Sequence, residues 1–120
     1  VARTTTLLAI ATQLWTVPGS PSNPIEMIES DIITFSVKFV GSTSATVSAI
    51  TAYKDGTDIT ATAFASGSTS AAGNTVTWKP LTAASGDGGE VYIIASKCTV
   101  DTQTETRKTY IKILTDEGEV

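Results

Sequence analysis

Cys98 is the one thiol in the chain, and a thiol acts as a nucleophile only when a base or cation draws off its proton. The sequence holds no histidine, the commonest general base and metal ligand. Cys98 lies in an apolar run beside Lys97 and is expected inside, as an inert small hydrophobe. Carboxylates come close in sequence three times: Asp55 with Asp58, Asp87 with Glu90, and Asp116, Glu117 and Glu119 near the end. Such pairs do acid–base work when one member is desolvated and keeps its proton. Each of these groups falls in a turn or tail, where water keeps a carboxylate ionised. Asp87 and Glu90 offer oxygens to calcium, but without the regular ligand loop that a calcium site needs. No catalytic, cofactor-binding or metal-ligating residues are therefore expected.

Two tryptophans remain as candidate binding residues. Trp78, between Thr77 and Lys79, has the surroundings of a sugar platform, but its in-phase neighbour Val76 argues for the core. Trp15 sits in a leading segment with Leu7, Leu8 and Leu14, and tryptophan is enriched at protein interfaces. These four are the expected partner-binding residues. The glycine-rich run Ser85-Gly86-Asp87-Gly88-Gly89 carries an acid where a phosphate cradle needs none, and no helix follows it. It is expected to be a turn.

The elements around these residues have a period of two. Ile33, Phe35, Val37 and Phe39 alternate with Thr34, Ser36 and Lys38, as in a strand with one buried face. Asp55-Gly56 between residues 46–53 and 59–64 predicts a hairpin with strands on both sides. Residues 65–74 are nearly all small and predict a surface loop. Residues 75–79 form a short strand, and 82–89 a second loop. Residues 90–100 form the longest strand, placed centrally because both of its faces are apolar in the first half. Residues 101–106 form the turn into a last strand over 107–114. A short strand carrying Ile25 and Met27, then a turn at Glu29-Ser30-Asp31, opens the series.

Composition agrees. The 34 hydroxyl residues (22 Thr, 12 Ser) and 17% charged residues suit pleated strands and turns. About seven strands without a helix in the main body predict an all-β, antiparallel sandwich over residues 24–115, with an open barrel as the alternative. It is preceded by an N-terminal arm and Pro-rich linker, 1–23, and followed by an acidic tail, 116–120. The arm is either an extra strand of the same sandwich or a strap onto another subunit. The apolar run after Arg3 is short for a secretory signal, and no run is long enough to span a membrane as a helix. Net charge is −4, with scattered cations, which excludes nucleic acid and anionic membrane as expected partners.

PIEMIESDIITFSV (24–37), an acidic turn feeding an alternating strand, resembles the opening of small immunoglobulin-like domains. GEVYIIA (89–95) with TYIKI (109–113) is similar to their closing hairpin. The cysteine pair of antibody domains is absent, and Tyr92 stands one place late for their tyrosine corner. Within that group, a Ser/Thr-rich, His-free domain with an apolar arm looks most like small virion proteins of tailed bacteriophages, of the capsid decoration or cement type. The resemblance implies a non-enzymatic structural protein bound to the major capsid protein or other virion subunits on the outer shell. The alternative is a carbohydrate-binding or adhesive module of a cell surface or phage fibre, with a glycan as partner.

Overall fold

The computed structural model describes residues 2–10 and 24–115. Ten strands and one helical turn follow in order: β1 (Ala2–Ile10), β2 (Ile25–Ile28), β3 (Ile32–Val40), β4 (Ala45–Lys54), β5 (Thr57–Asp58), α1 (Thr60–Ala63), β6 (Ser70–Ala72), β7 (Thr75–Thr77), β8 (Leu81–Thr82), β9 (Val91–Val100) and β10 (Gln103–Leu114). They make two sheets. One runs β1-β3-β7-β6, with β8 also on β3; the other runs β2-β10-β9-β4-β5. The expected all-β, two-sheet architecture holds. Two pairings depart from the antiparallel expectation, because β1 lies parallel to β3 and β2 parallel to β10. Each joins strands distant in sequence, as a parallel pair requires.

The core forms where the two inner faces meet. Ile33, Phe35, Val37 and Phe39 of β3 are buried, facing Tyr92, Ile94, Cys98 and Val100 of β9 and Ile111 and Ile113 of β10. Val76 on β7 and Trp78 just after it join them from alongside β3 in the same sheet, and the ring centroids of Phe35 and Trp78 lie 5.4 Å apart. As expected, β9 is central, with β10 and β4 on its two sides.

Three local expectations are corrected. Residues 59–64 do not form the return strand of a hairpin. After the turn at Asp55 and Gly56 (φ 51° and 77°), β5 pairs for two residues only and the chain then coils into α1. Asp58 Oδ1 accepts hydrogen bonds from the Thr60 N–H (2.9 Å) and hydroxyl (2.6 Å). This starts the helical turn that places Ala63 and Phe64 in the core. The expected loop over 65–74 contains β6, held to β7 by backbone pairing although all three of its residues are exposed. The turn expected over 101–106 is only Asp101-Thr102, both at positive φ (47° and 76°). Pairing resumes at Gln103, so β10, with twelve residues, is longer than β9.

Asp101 fastens this end of the sandwich. Its carboxylate accepts from the backbone N–H groups of Ser44 (2.9 Å) and Thr43 (3.0 Å) and from the Thr43 hydroxyl (2.9 Å). These bonds, Ser44 first, hold its pKa below the ordinary carboxylate range. At the opposite end, Gly88 lies where a Cβ would come within 2.7 Å of Glu29 Oε2 and 2.8 Å of Thr115 Cγ2. Only a glycine permits that approach, which lets the Gly88 N–H donate to Glu29 at 2.9 Å.

Candidate functional site

The groups singled out for chemistry find partners far away in sequence. Asp87 meets Lys54 (2.9 Å from Oδ1 to Nζ) and accepts a hydrogen bond from the Tyr92 hydroxyl. That hydroxyl in turn accepts from the Ala84 N–H at 3.2 Å. Lys54 and Tyr92 come together because they are directly paired across β4 and β9. Together with Asp87 they border a shallow cleft of about 150 Å³ closed by Ile59 and by Thr62 and Ala63 of α1. The Glu90 N–H donates to the Asp87 carbonyl at 3.0 Å, while its carboxyl faces Asp55, and the hydrogen bond the two carboxyls share raises the Glu90 pKa, against the expectation that no turn carboxylate would be raised.

Electrostatics ties the Asp87 group down. Burial pushes the Asp87 pKa up, but the hydrogen bonds from Tyr92 and Lys54, with the lysine's charge, outweigh it and leave the pKa lowered. The Lys54 pKa is raised, chiefly by its hydrogen bond to Asp87. Tyr92 is pushed up to about 12, first by burial and then by Asp87. The arrangement is a lock between a sheet and a loop.

Its pH signature has two sides. Asp87 is depressed in the fold, so its contribution is present above the ordinary carboxylate range and lost as the pH falls through its lowered pKa. Tyr92 is raised, so its contribution is complete below its ordinary value of 10.0 and lost as the pH rises from there to about 12. Urea midpoints across pH should therefore fall at both extremes, and Tyr92→Phe should flatten the alkaline fall. An alkaline fall unchanged in that variant would mean that another group causes it.

Other candidates resolve plainly. Cys98 is buried and free, and burial raises its pKa, which makes the thiol less reactive. Trp78 is fully buried, so it offers no platform to a sugar. Leu7 and Leu8 lie in β1, paired with Val37 and Lys38 of β3. Leu14 and Trp15 lie outside the described residues, as do Asp116, Glu117 and Glu119. Among the described residues, no cluster of Cys, Asp and Glu is arranged to hold a metal ion.

Two surfaces are left. The first is the edge that β1 forms among the described residues, nine residues long and in unbroken register with β3. The other edge strands are short: β2 has four residues, β5 two and β6 three. The uncovered length of β4 is interrupted by a bulge between Val47 and Ala49. Short strands and bulges are the usual means of blunting a sheet edge, and β1 has neither.

The second surface is the outer face of the β2-β10-β9-β4-β5 sheet. Tyr110, Ile93 and Tyr53 lie directly opposite one another on β10, β9 and β4, all half-buried. Sequence reading placed each of them in its strand but gave none a role; the signal was their parity, opposite to that of buried Tyr92, Ile94 and Ile111. Val91, 39% exposed, and Ile28, 36% exposed, extend the apolar area toward β2. No family model, curated protein or solved structure matches the chain.

Proposed function

We propose that the chain is a non-enzymatic structural protein of a bacteriophage virion, bound to the major capsid protein on the outer shell as a decoration or cement protein, on an immunoglobulin-like sandwich. The order β3-β7-β6 against β10-β9-β4-β5 supports the fold, since it follows the B-E-D and G-F-C-C′ orders of immunoglobulin-type sheets. The departures are the missing cysteine pair and a core tryptophan that follows β7 rather than standing on β4.

The observation that carries the function is β1. This strand adds to that order a long edge lacking the protections of the other edges, and it carries Leu7 and Leu8. An edge of this kind is a template for pairing with another chain. Leu14 and Trp15, on the segment that follows, supply apolar contact in the same reading. A weak contact suffices where many copies sit on one lattice. Lys54, Asp87 and Tyr92, tied to one another, and the buried Cys98 thiol favour a binding role over catalysis.

Quantitative mass spectrometry of purified particles tests the reading. The expected result is a copy number comparable to that of the major shell protein. A handful of copies would move the chain to a tail, fibre or connector, and absence from particles would overturn the virion assignment.

A further inference from the structure

We propose that the outer face of the β2-β10-β9-β4-β5 sheet binds an acidic polysaccharide, with Tyr53 and Tyr110 beneath its sugar rings and Lys97 and Lys108 beside its carboxylates. The face is independent of the β1 edge, so this proposal stands or falls apart from the virion reading.

The apolar part of the surface is centred on one row, with Val91 and Ile28 beyond it on the β2 side. Tyr110, Ile93 and Tyr53 cross three adjacent strands in one row. The tyrosines are thus two strand spacings apart, about 10 Å, which suits separate rings of one extended chain. The next row toward the β9–β10 turn is Lys108, Ala95 and Thr51, and the one after it Thr106, Lys97 and Ala49. A protein interface has an apolar centre surrounded by a polar rim, with lysine depleted. Here Lys108 and Lys112 flank Tyr110 directly along β10, and Lys97 follows one row further on. A linear ligand with an apolar ring face and charged substituents fits that layout better than a protein does.

Charge selects an acidic ligand. The chain has a net charge of −4, yet this face holds Lys97, Lys108 and Lys112 against Glu26 and Asp58. Glu26 is directly opposite Lys112 on β2, and Asp58 is opposite Tyr53 at the far margin. Lys97 and Lys108 have only Thr106, Ala49 and Ala95 opposite them, and both are exposed. As diagonal neighbours on β9 and β10, they make a cationic spot beside Tyr110 that a carboxylate-bearing sugar would neutralise.

Calorimetric titration with an alginate oligosaccharide, a chain of uronic acids, tests the proposal, with a neutral cello-oligosaccharide as the comparison. The alginate oligosaccharide should bind and the neutral one bind more weakly, with affinity falling as salt is added. Tyr110→Ala should weaken binding about tenfold, and Lys97→Ala/Lys108→Ala, changed at exposed positions that leave the fold intact, by a similar factor. Equal binding of the neutral chain, no binding of the acidic one, or affinity unchanged in the lysine variant would overturn it. Loss of attachment to a protein shell in Tyr53→Ala/Tyr110→Ala, without alginate binding by the parent chain, would assign the face to a protein and also overturn it.

Discussion

Replacing Trp78 by alanine should destabilise the protein by about 3–5 kcal/mol, the range for deleting a fully buried large aromatic. Trp78 is enclosed on two sides by aromatic rings: Phe35 at 5.4 Å, tilted, and Phe64 at 6.5 Å, edge-on. Phe35 comes from β3, whereas Phe64 follows α1, so the indole joins a strand of the first sheet to the helical turn that leads out of the second. The backbone reinforces this, because the Trp78 N–H donates to the Phe35 carbonyl at 2.9 Å. A cavity there would remove the ring contact that each phenylalanine makes with the indole. A loss of that size is a large share of the about 5–15 kcal/mol that holds a typical domain together. Among the described residues the buried indole Nε1 has no hydrogen-bond partner, so Trp78→Phe should be much milder: it keeps a ring in the site and removes the unpaired donor. Urea unfolding followed by circular dichroism checks both. A loss below about 1 kcal/mol for the alanine variant would contradict the core assignment.

That residue also shows why parts of the fold were legible. Val76 and Trp78 are two apart, as are Ile33, Phe35, Val37 and Phe39, and all are buried. Wherever one face of a strand is paid for in large apolar side chains, the alternation reads directly as burial. Legibility fails where pairing depends on the backbone alone. Ser70, Ala71 and Ala72 form β6 while exposed, and the first residues of β10, Gln103 and Thr104, are polar and exposed. Neither segment presents a pattern of side chains to detect. The hairpin after Asp55 failed for another reason: Ile59 and Phe64 look strand-like by type, but the bonds between Asp58 and Thr60 impose a helical turn.

Electrostatic partners were the least legible. Lys54 and Asp87 are 33 residues apart, and Asp55 meets Glu90 across a similar interval, so neither contact has a local signature. Sequence proximity instead suggested Asp55 with Asp58 and Asp87 with Glu90. The candidate face was half legible: its strands were read correctly, but the row Tyr53, Ile93 and Tyr110 exists only once the register of β4, β9 and β10 is fixed.

Arg107 gives the second large effect, in the opposite direction. It shares the inward parity of Thr109, Ile111 and Ile113 on β10 and is 2% exposed, with Nε and Nη1 lacking hydrogen-bond partners among the described residues. Burial lowers its pKa, and the charge of nearby Glu105 opposes that shift, while Glu105 Oε1 is itself buried and without a partner among the described residues. Removing charges from water is favourable only when good geometry satisfies their remaining donors and acceptors, and here several are unmet. Replacing both groups by apolar side chains, as in Glu105→Leu/Arg107→Met, should therefore stabilise the protein by about 1–4 kcal/mol. Arg107→Met alone should gain less, because the Glu105 carboxylate then loses the cation beside it. Thermal unfolding of the wild type, the single and the double variant measures the order directly. A double variant less stable than the wild type would mean that the guanidinium stabilises this interior, and the unmet donors at Arg107 would then need another explanation.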